Sequence, residues 1–180
     1  MKKTVLVLGC LLAIGFSSVS CNRDDSLPET TVNIRSILPK PADHLIASML
    51  GEKIYDATFT SKTTANPFGT EVYTGVTVSS VTKSTTANAD NGAVYKVVLS
   101  NGIELGFKED GKWAYVDGKT VVLKYSVWNY LPEPVITAIG DTEIKKLLKI
   151  EVSVATPSVY TVTFQSGAVA KYNANGSVAP

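Results

Sequence analysis

Tyr95-Lys96-Val97-Val98-Leu99, followed by Gly102 and Gly111, recurs further along as Tyr160-Thr161-Val162-Thr163-Phe164, followed by Gly167 and Gly176. The Tyr-to-Gly and Gly-to-Gly intervals are the same in both stretches. Upstream of each lies one pattern, LPxPxxxxI: Leu38-Pro39-Lys40-Pro41 with Ile46, then Leu131-Pro132-Glu133-Pro134 with Ile139. A supersecondary unit has been used twice, and such a repeat decides the architecture before any single element is assigned.

Within each unit the periodicity changes. From Pro39 to Leu50, Ala42, Leu45, Ile46, Met49 and Leu50 follow the i, i+3, i+4 spacing of an amphipathic helix, with Gly51 as a stop. Glu133 to Ile139 with Gly140 reads as a shorter version, entered through proline, which the first turn tolerates. Strand alternation follows: Tyr95, Val97, Leu99, Ile103, Leu105 and Phe107 fall on one face, Lys96, Ser100, Glu104 and Lys108 on the other. Leu147 to Ala155 reads as a further strand. Asn91-Gly92, Asn101-Gly102, Asp110-Gly111 and Asp117-Gly118 separate the runs and predict an antiparallel meander closed by type I′ turns.

The copies differ in length. Leu38 to Tyr95 is 57 positions and Leu131 to Tyr160 is 29, which leaves about 28 extra residues in the first copy. The sequence places them between Thr58 and Asn88, a Thr- and Ser-rich stretch in which Val76 to Thr82 reads as part of an added hairpin or ordered loop. The expected organisation is a first unit over 36–126 with an insertion at about 58–88, and a second unit over 127–180.

The N-terminus predicts export. Lys2 and Lys3 precede an apolar run from Val5 to Phe16, then small polar residues and Cys21. The run falls short of the ~20 residues that a spanning helix needs. Ser18-Val19-Ser20-Cys21 resembles a lipobox, with Ser18 where leucine is usual, and it predicts removal of residues 1–20 with acylation of Cys21. Val7-Leu8-Gly9-Cys10 is the rival, but it lies inside the apolar run. With Cys21 acylated, no thiol pair remains for a disulfide, so stability rests on the core; a domain near ~150 residues can bury roughly 70% of its unfolded surface. Residues 21–35 read as a polar tether. Its start, Asn22-Arg23-Asp24-Asp25, resembles the short acidic signal of surface-exposed lipoproteins and equally suits a solvated linker.

The formal net charge is +1 for the whole chain, with 17 basic and 16 acidic residues interspersed, so no basic face for nucleic acid is expected. Catalytic motifs are missing from the sequence. His44 is the single histidine and lies outside the apolar stripe of its helix. There is no GxSxG, GxGxxG or P-loop, and Glu109-Asp110 belongs to a turn. No catalytic residue, metal ligand or cofactor is expected. The aromatics carry the binding hypothesis: Trp113, Tyr115, Tyr125, Trp128 and Tyr130 either anchor a partner or pack the join between the two units.

The LPxPxxxxI pattern, with the run from Tyr95 to Trp113 (YxVxLxNGxELxFxxxGxW), resembles the PepSY-like, β-lactamase-inhibitor-like family of exported bacterial proteins. The resemblance covers about residues 36–178. Ala168, Ala170 and Val178 depart from it, standing where the first copy has Ile103, Leu105 and Trp113. It implies an α+β fold of two tandem helix-plus-antiparallel-sheet units, a protein or peptide partner gripped by the sheet, and no catalytic residues. The expected function is a non-enzymatic envelope lipoprotein, attached to the outer membrane by its lipid, that binds or inhibits a protein or peptide. The alternative is a glycan- or nutrient-binding accessory lipoprotein of an uptake system, which would show exposed coplanar aromatics beside Asn or Asp.

Overall fold

The computed structural model describes residues 34–52 and 71–180. Cys21, the tether as far as residue 33, and residues 53–70 with the insertion's first part at 58–70 lie outside the described residues. The chain is α+β. Helix α1 (Lys40–Leu50) is followed by β1 (Val78–Lys83), β2 (Tyr95–Leu99), β3 (Glu104–Phe107) and β4 (Trp113–Asp117). Two short helices, α2 (Tyr125–Trp128) and α3 (Glu133–Ile139), and a 3-10 turn (Ile144–Lys146) lead to β5 (Leu147–Val152), β6 (Val159–Phe164) and β7 (Val169–Asn173). The seven strands form one antiparallel meander in sequence order, so the two units share a sheet through the β4–β5 pairing.

The helices cover one face of that sheet. Ala42, Ile46 and Met49 of α1 and Val135 of α3 are fully buried against Val97, Leu99, Leu105, Phe107, Ile150 and Val162. Burial near ~25 cal/mol per Å² of apolar surface makes this layer the main stabilising term, and among the described residues no helix covers the opposite sheet face.

Duplication is exact at the level of register. Tyr95 pairs with Phe107 as Tyr160 pairs with Tyr172, and Val97 with Leu105 as Val162 with Ala170. The outer strands repeat too, with a bulge at the same place: Val78/Ser80 opposite Leu99 and Val98, Leu147/Lys149 opposite Phe164 and Thr163. β1 is therefore the counterpart of β5. This corrects the expectation that Val76 to Thr82 belongs to an added hairpin. Leu38 to Val78 is 40 positions against 16 from Leu131 to Leu147, and Lys83 to Tyr95 is 12 against 8 from Val152 to Tyr160. Twenty-four extra residues therefore precede β1, and the remaining four lengthen the β1–β2 loop.

A second correction concerns the turns. Type I′ needs positive φ at both central residues, and the only non-glycine with positive φ among the described residues is Lys119. At Asn101-Gly102 the glycine alone is left-handed, and the Asn101 side chain accepts the N–H of Ile103 at 3.3 Å. Asp110 and Asn175 repeat this arrangement with the N–H groups of Lys112 and Ser177, both at 3.0 Å. At Asp117-Gly118 the left-handed residue is Lys119. The Asx residue thus caps a backbone donor two positions on, the alternative that its short side chain offers.

The structure also shows why LPxP and the second glycine recur together. A Cβ on Gly111 would lie 2.9 Å from Pro39 Cβ and 3.1 Å from Pro41 Cδ; one on Gly176 would lie 2.5 Å from the Pro134 carbonyl oxygen. Each proline-initiated helix start rests on the glycine of its own unit's turn. Arg35, read as the end of the tether, is instead bound to α1, its guanidinium bridging Asp43 and Glu52 while nearly buried.

Candidate functional site

On the uncovered face the registers line up two rows across the sheet. Thr82, Lys96, Gly106 and Tyr115 in the first unit continue as Glu151, Thr161 and Lys171 in the second. Beside them run Ser80, Val98, Glu104 and Asp117, then Lys149, Thr163 and Val169. The face is polar, as expected of the solvated side of an antiparallel sheet. Its centre is cross-linked by charge. Lys119 Nζ meets Glu104 at 3.3 Å and Asp117 at 3.0 Å, and Lys149 Nζ meets Glu151 at 2.7 Å. Partial burial pushes the Asp117 carboxyl up, but hydrogen bonds from the Lys119 side chain and backbone outweigh it and hold the group below the usual carboxylate range. Glu151 is held down in the same way by Lys149 and Asn91 against its own burial.

Tyr115 is the aromatic of these rows. It lies over Gly106, where a Cβ would stand 2.1 Å from Tyr115 Cε1, so the glycine makes room for the ring. Burial raises the Tyr115 pKa above the ordinary phenol value.

The longer β1–β2 loop reaches across the end of the sheet. Asn88 Oδ1 accepts the N–H groups of Asp90 and Asn91 at 2.9 and 3.1 Å, which shapes the loop tip. Asn91, only 5% exposed, then donates to Glu151 Oε1 at 2.8 Å, and Val154 N–H donates to the Asp90 carbonyl at 2.9 Å. The loop thereby clasps the second unit from the first. Beneath it is a cavity of about 340 Å³, lined by Thr82, Lys96 and Tyr115 of the open face and by Ser84, Thr86 and Asn88 of the loop.

The five aromatics named from the sequence do not form one surface. Trp113 packs from the helix side against the core edge, 6.4 Å from the Tyr160 ring at 46°. Tyr125 and Trp128 meet edge to face at 4.6 Å, and Trp128 is 4% exposed. Tyr130 is half-buried against the same core. A ring as buried as Trp128 cannot touch a partner without opening the join, so Tyr115 is the one that the fold delivers to the uncovered face. His44 sits half-buried on α1, away from these rows. Among the described residues no group of His, Cys, Asp and Glu could hold a metal ion.

Sequence reasoning missed Asn91, Lys96 and Tyr73. Asn91 was read as turn chemistry alone, and nothing local signals its partner 60 positions away. Tyr73, 3% exposed, ties α1 to the segment after β4 within the first unit: its N–H donates to the Met49 carbonyl at 2.9 Å, and its hydroxyl accepts the Lys124 N–H at 3.0 Å. Burial, partly offset by that hydrogen bond, pushes its pKa up to about 12.

Solved structures share this architecture. A proposed periplasmic protein of unknown function from Bacteroides vulgatus ATCC 8482 matches with a TM-score of 0.53 at 17% identity, over 81% of this chain and 92% of that one. A proposed calcium-regulated periplasmic protein from Bacteroides thetaiotaomicron matches with a TM-score of 0.55 at 15% identity, over 81% and 90%. A second Bacteroides vulgatus protein, of the DUF2874 family, matches at 0.51 and 19% identity, over 79% and 88%. Likeness at this identity establishes the fold. No family profile and no curated protein matches the sequence.

Proposed function

We propose that the chain is an exported, non-enzymatic PepSY-like lipoprotein, acylated at Cys21, that binds a protein or peptide partner through the open face of its sheet. The observation that carries this reading is the one-sided placement of the described helices: α1 and α3 cover the same face, and the other presents two mainly polar rows of side chains continuous across both units. Export is supported by the signal-like N-terminus and by solved relatives that are proposed periplasmic proteins. The calcium regulation named for one of them has no ready counterpart here, since Glu104, Asp117 and Glu151 already face Lys119 and Lys149. Glycan binding would call for a second coplanar aromatic beside Tyr115, and the two rows hold none.

Photo-crosslinking in intact envelopes tests the reading. A crosslinking residue at Ser80 or Lys171 on the open face should capture a discrete protein, whereas one at Thr137, exposed on α3, should not. Capture from Thr137 alone would move the site to the helical side. Cys21→Ala should release the protein from membranes and abolish acyl labelling; loss of labelling in Cys10→Ala instead would transfer the lipid to Cys10.

A further inference from the structure

We propose that the cavity beneath the β1–β2 loop receives a side-chain carboxylate, Asp or Glu, from an extended segment of the protein partner, with Lys96 as its counter-charge and Tyr115 and Asn88 as further donors. This rests on the open-face reading above and names what the face recognises. The argument is one of unmatched chemistry. Of the other lysines on the face, Lys119 is neutralised by Glu104 and Asp117 and Lys149 by Glu151, while Lys171 stands on the edge strand β7, outside the cavity lining. Lys96 has no partner among the described residues, and no carboxylate lines the cavity.

The remaining lining is also donor-rich. Asn88 spends its carbonyl oxygen on the loop's own N–H groups, which leaves its amide N–H₂ free. The Tyr115 hydroxyl carries no protein hydrogen bond among the described residues, while its ring is held over Gly106. Ser84, in contrast, is satisfied within the loop, donating to the Thr86 carbonyl at 2.8 Å. Residues bearing an ammonium, an amide and a phenol line this one open cavity; such a set suits an acceptor-only group, and a carboxylate is that group in a polypeptide. A dianion such as phosphate fits less well, because the cavity supplies one cation and Glu104 and Glu151 stand in the neighbouring positions of the rows. The clasp makes the cavity: without Asn91 on Glu151 and Asp90 on Val154, the loop would have nothing to hold it over the sheet.

Three fluorescently labelled pentapeptides, titrated against the mature acylated protein by anisotropy, provide the test. The first is blocked at both ends with a central glutamate, the second is its glutamine twin, and the third has the central glutamine with a free C-terminal carboxylate. The glutamate peptide should bind about tenfold more tightly than its twin, and more weakly as salt rises, as expected of a charge-assisted contact. Lys96→Met, at an exposed position, should erase the glutamate preference without a further loss for the glutamine peptide. Equal binding of the first two, binding of the third alone, binding of a neutral oligosaccharide at the cavity in their place, or no binding at millimolar peptide would each overturn the proposal. The open-face reading fails separately. It falls if crosslinks arise from Thr137 and not from Ser80 or Lys171, whereas retained open-face crosslinks in Lys96→Met with no peptide preference would sink the cavity assignment alone.

Discussion

The first unit and the second share the registers of their first three strands, down to the bulge in the outer strand, yet they are filled differently. Leu105 and Phe107 on β3 are fully buried, while their counterparts Ala170 and Tyr172 on β7 are half-buried. β3 is flanked by the four pairs of β4; at β7 the counterpart is a single bridge, Tyr172 to Val178, matching Phe107 to Trp113. The turns carry the backbone of the unit in both copies, and the side chains have diverged around it. The difference teaches that register is set by turn chemistry and strand period, whereas core volume is set by how many strands and helices close over a position.

The largest test of this contrast is Leu105→Ala, which should cost about 3 kcal/mol by urea denaturation, as deletion of a fully buried leucine side chain does. Its mirror image, Ala170→Leu, should stay within about 0.5 kcal/mol, since its site is half open. Similar losses for both would mean that the second unit is as tightly packed as the first.

Next come the glycines on which the helix starts rest. Gly111→Ala and Gly176→Ala should each cost about 2–3 kcal/mol, because a left-handed residue at φ 82° or 84° gains a Cβ that also meets proline atoms at 2.9 or 2.5 Å. Gly102→Ala and Gly167→Ala share the positive φ but have open space around them, and should cost about 1 kcal/mol. Thermal melts in which all four variants lose the same amount would break the assignment of LPxP to glycine packing.

A smaller effect belongs to the clasp, which the second unit lacks because its β5–β6 loop is four residues shorter. Asn91→Ala should lower stability by about 1 kcal/mol at pH 7. The Glu151 carboxyl is held below its ordinary value in the folded protein, so its contribution is present above the unfolded carboxylate range, near ~4.3, and fades as pH falls through the folded value. The gap between the parent and Asn91→Ala should therefore narrow in melts below about pH 4. A gap that widens on acidification would show that Glu151 is not the partner that matters.

Much of the fold was legible because it is local. Helical spacing in 39–50, strand alternation after Tyr95 and Tyr160, and the matched intervals are properties of neighbours along the chain, and each reappears in the structure. β1 was misread because Val76 to Thr82 has no counterpart by sequence; it aligns with β5 only through the partners across the sheet. The type I′ expectation failed because Asx-Gly signals a reversal without specifying which of its residues takes positive φ.

The candidate site was legible only in part. Tyr115 could be named from composition, but nothing in the neighbours of Trp113 or Trp128 says that these rings turn inward while Tyr115 turns outward. That depends on a bulge between Gly106 and Phe107 and on a helix pair covering one face. By itself the sequence determined the repeated unit, the positions of its turns and its helix starts, since these rest on backbone conformation and spacing. Only the tertiary structure decided which face the described helices cover, which lysine lines the cavity and where the longer loop lands. Those are outcomes of contacts between residues dozens of positions apart, and no local pattern carries them.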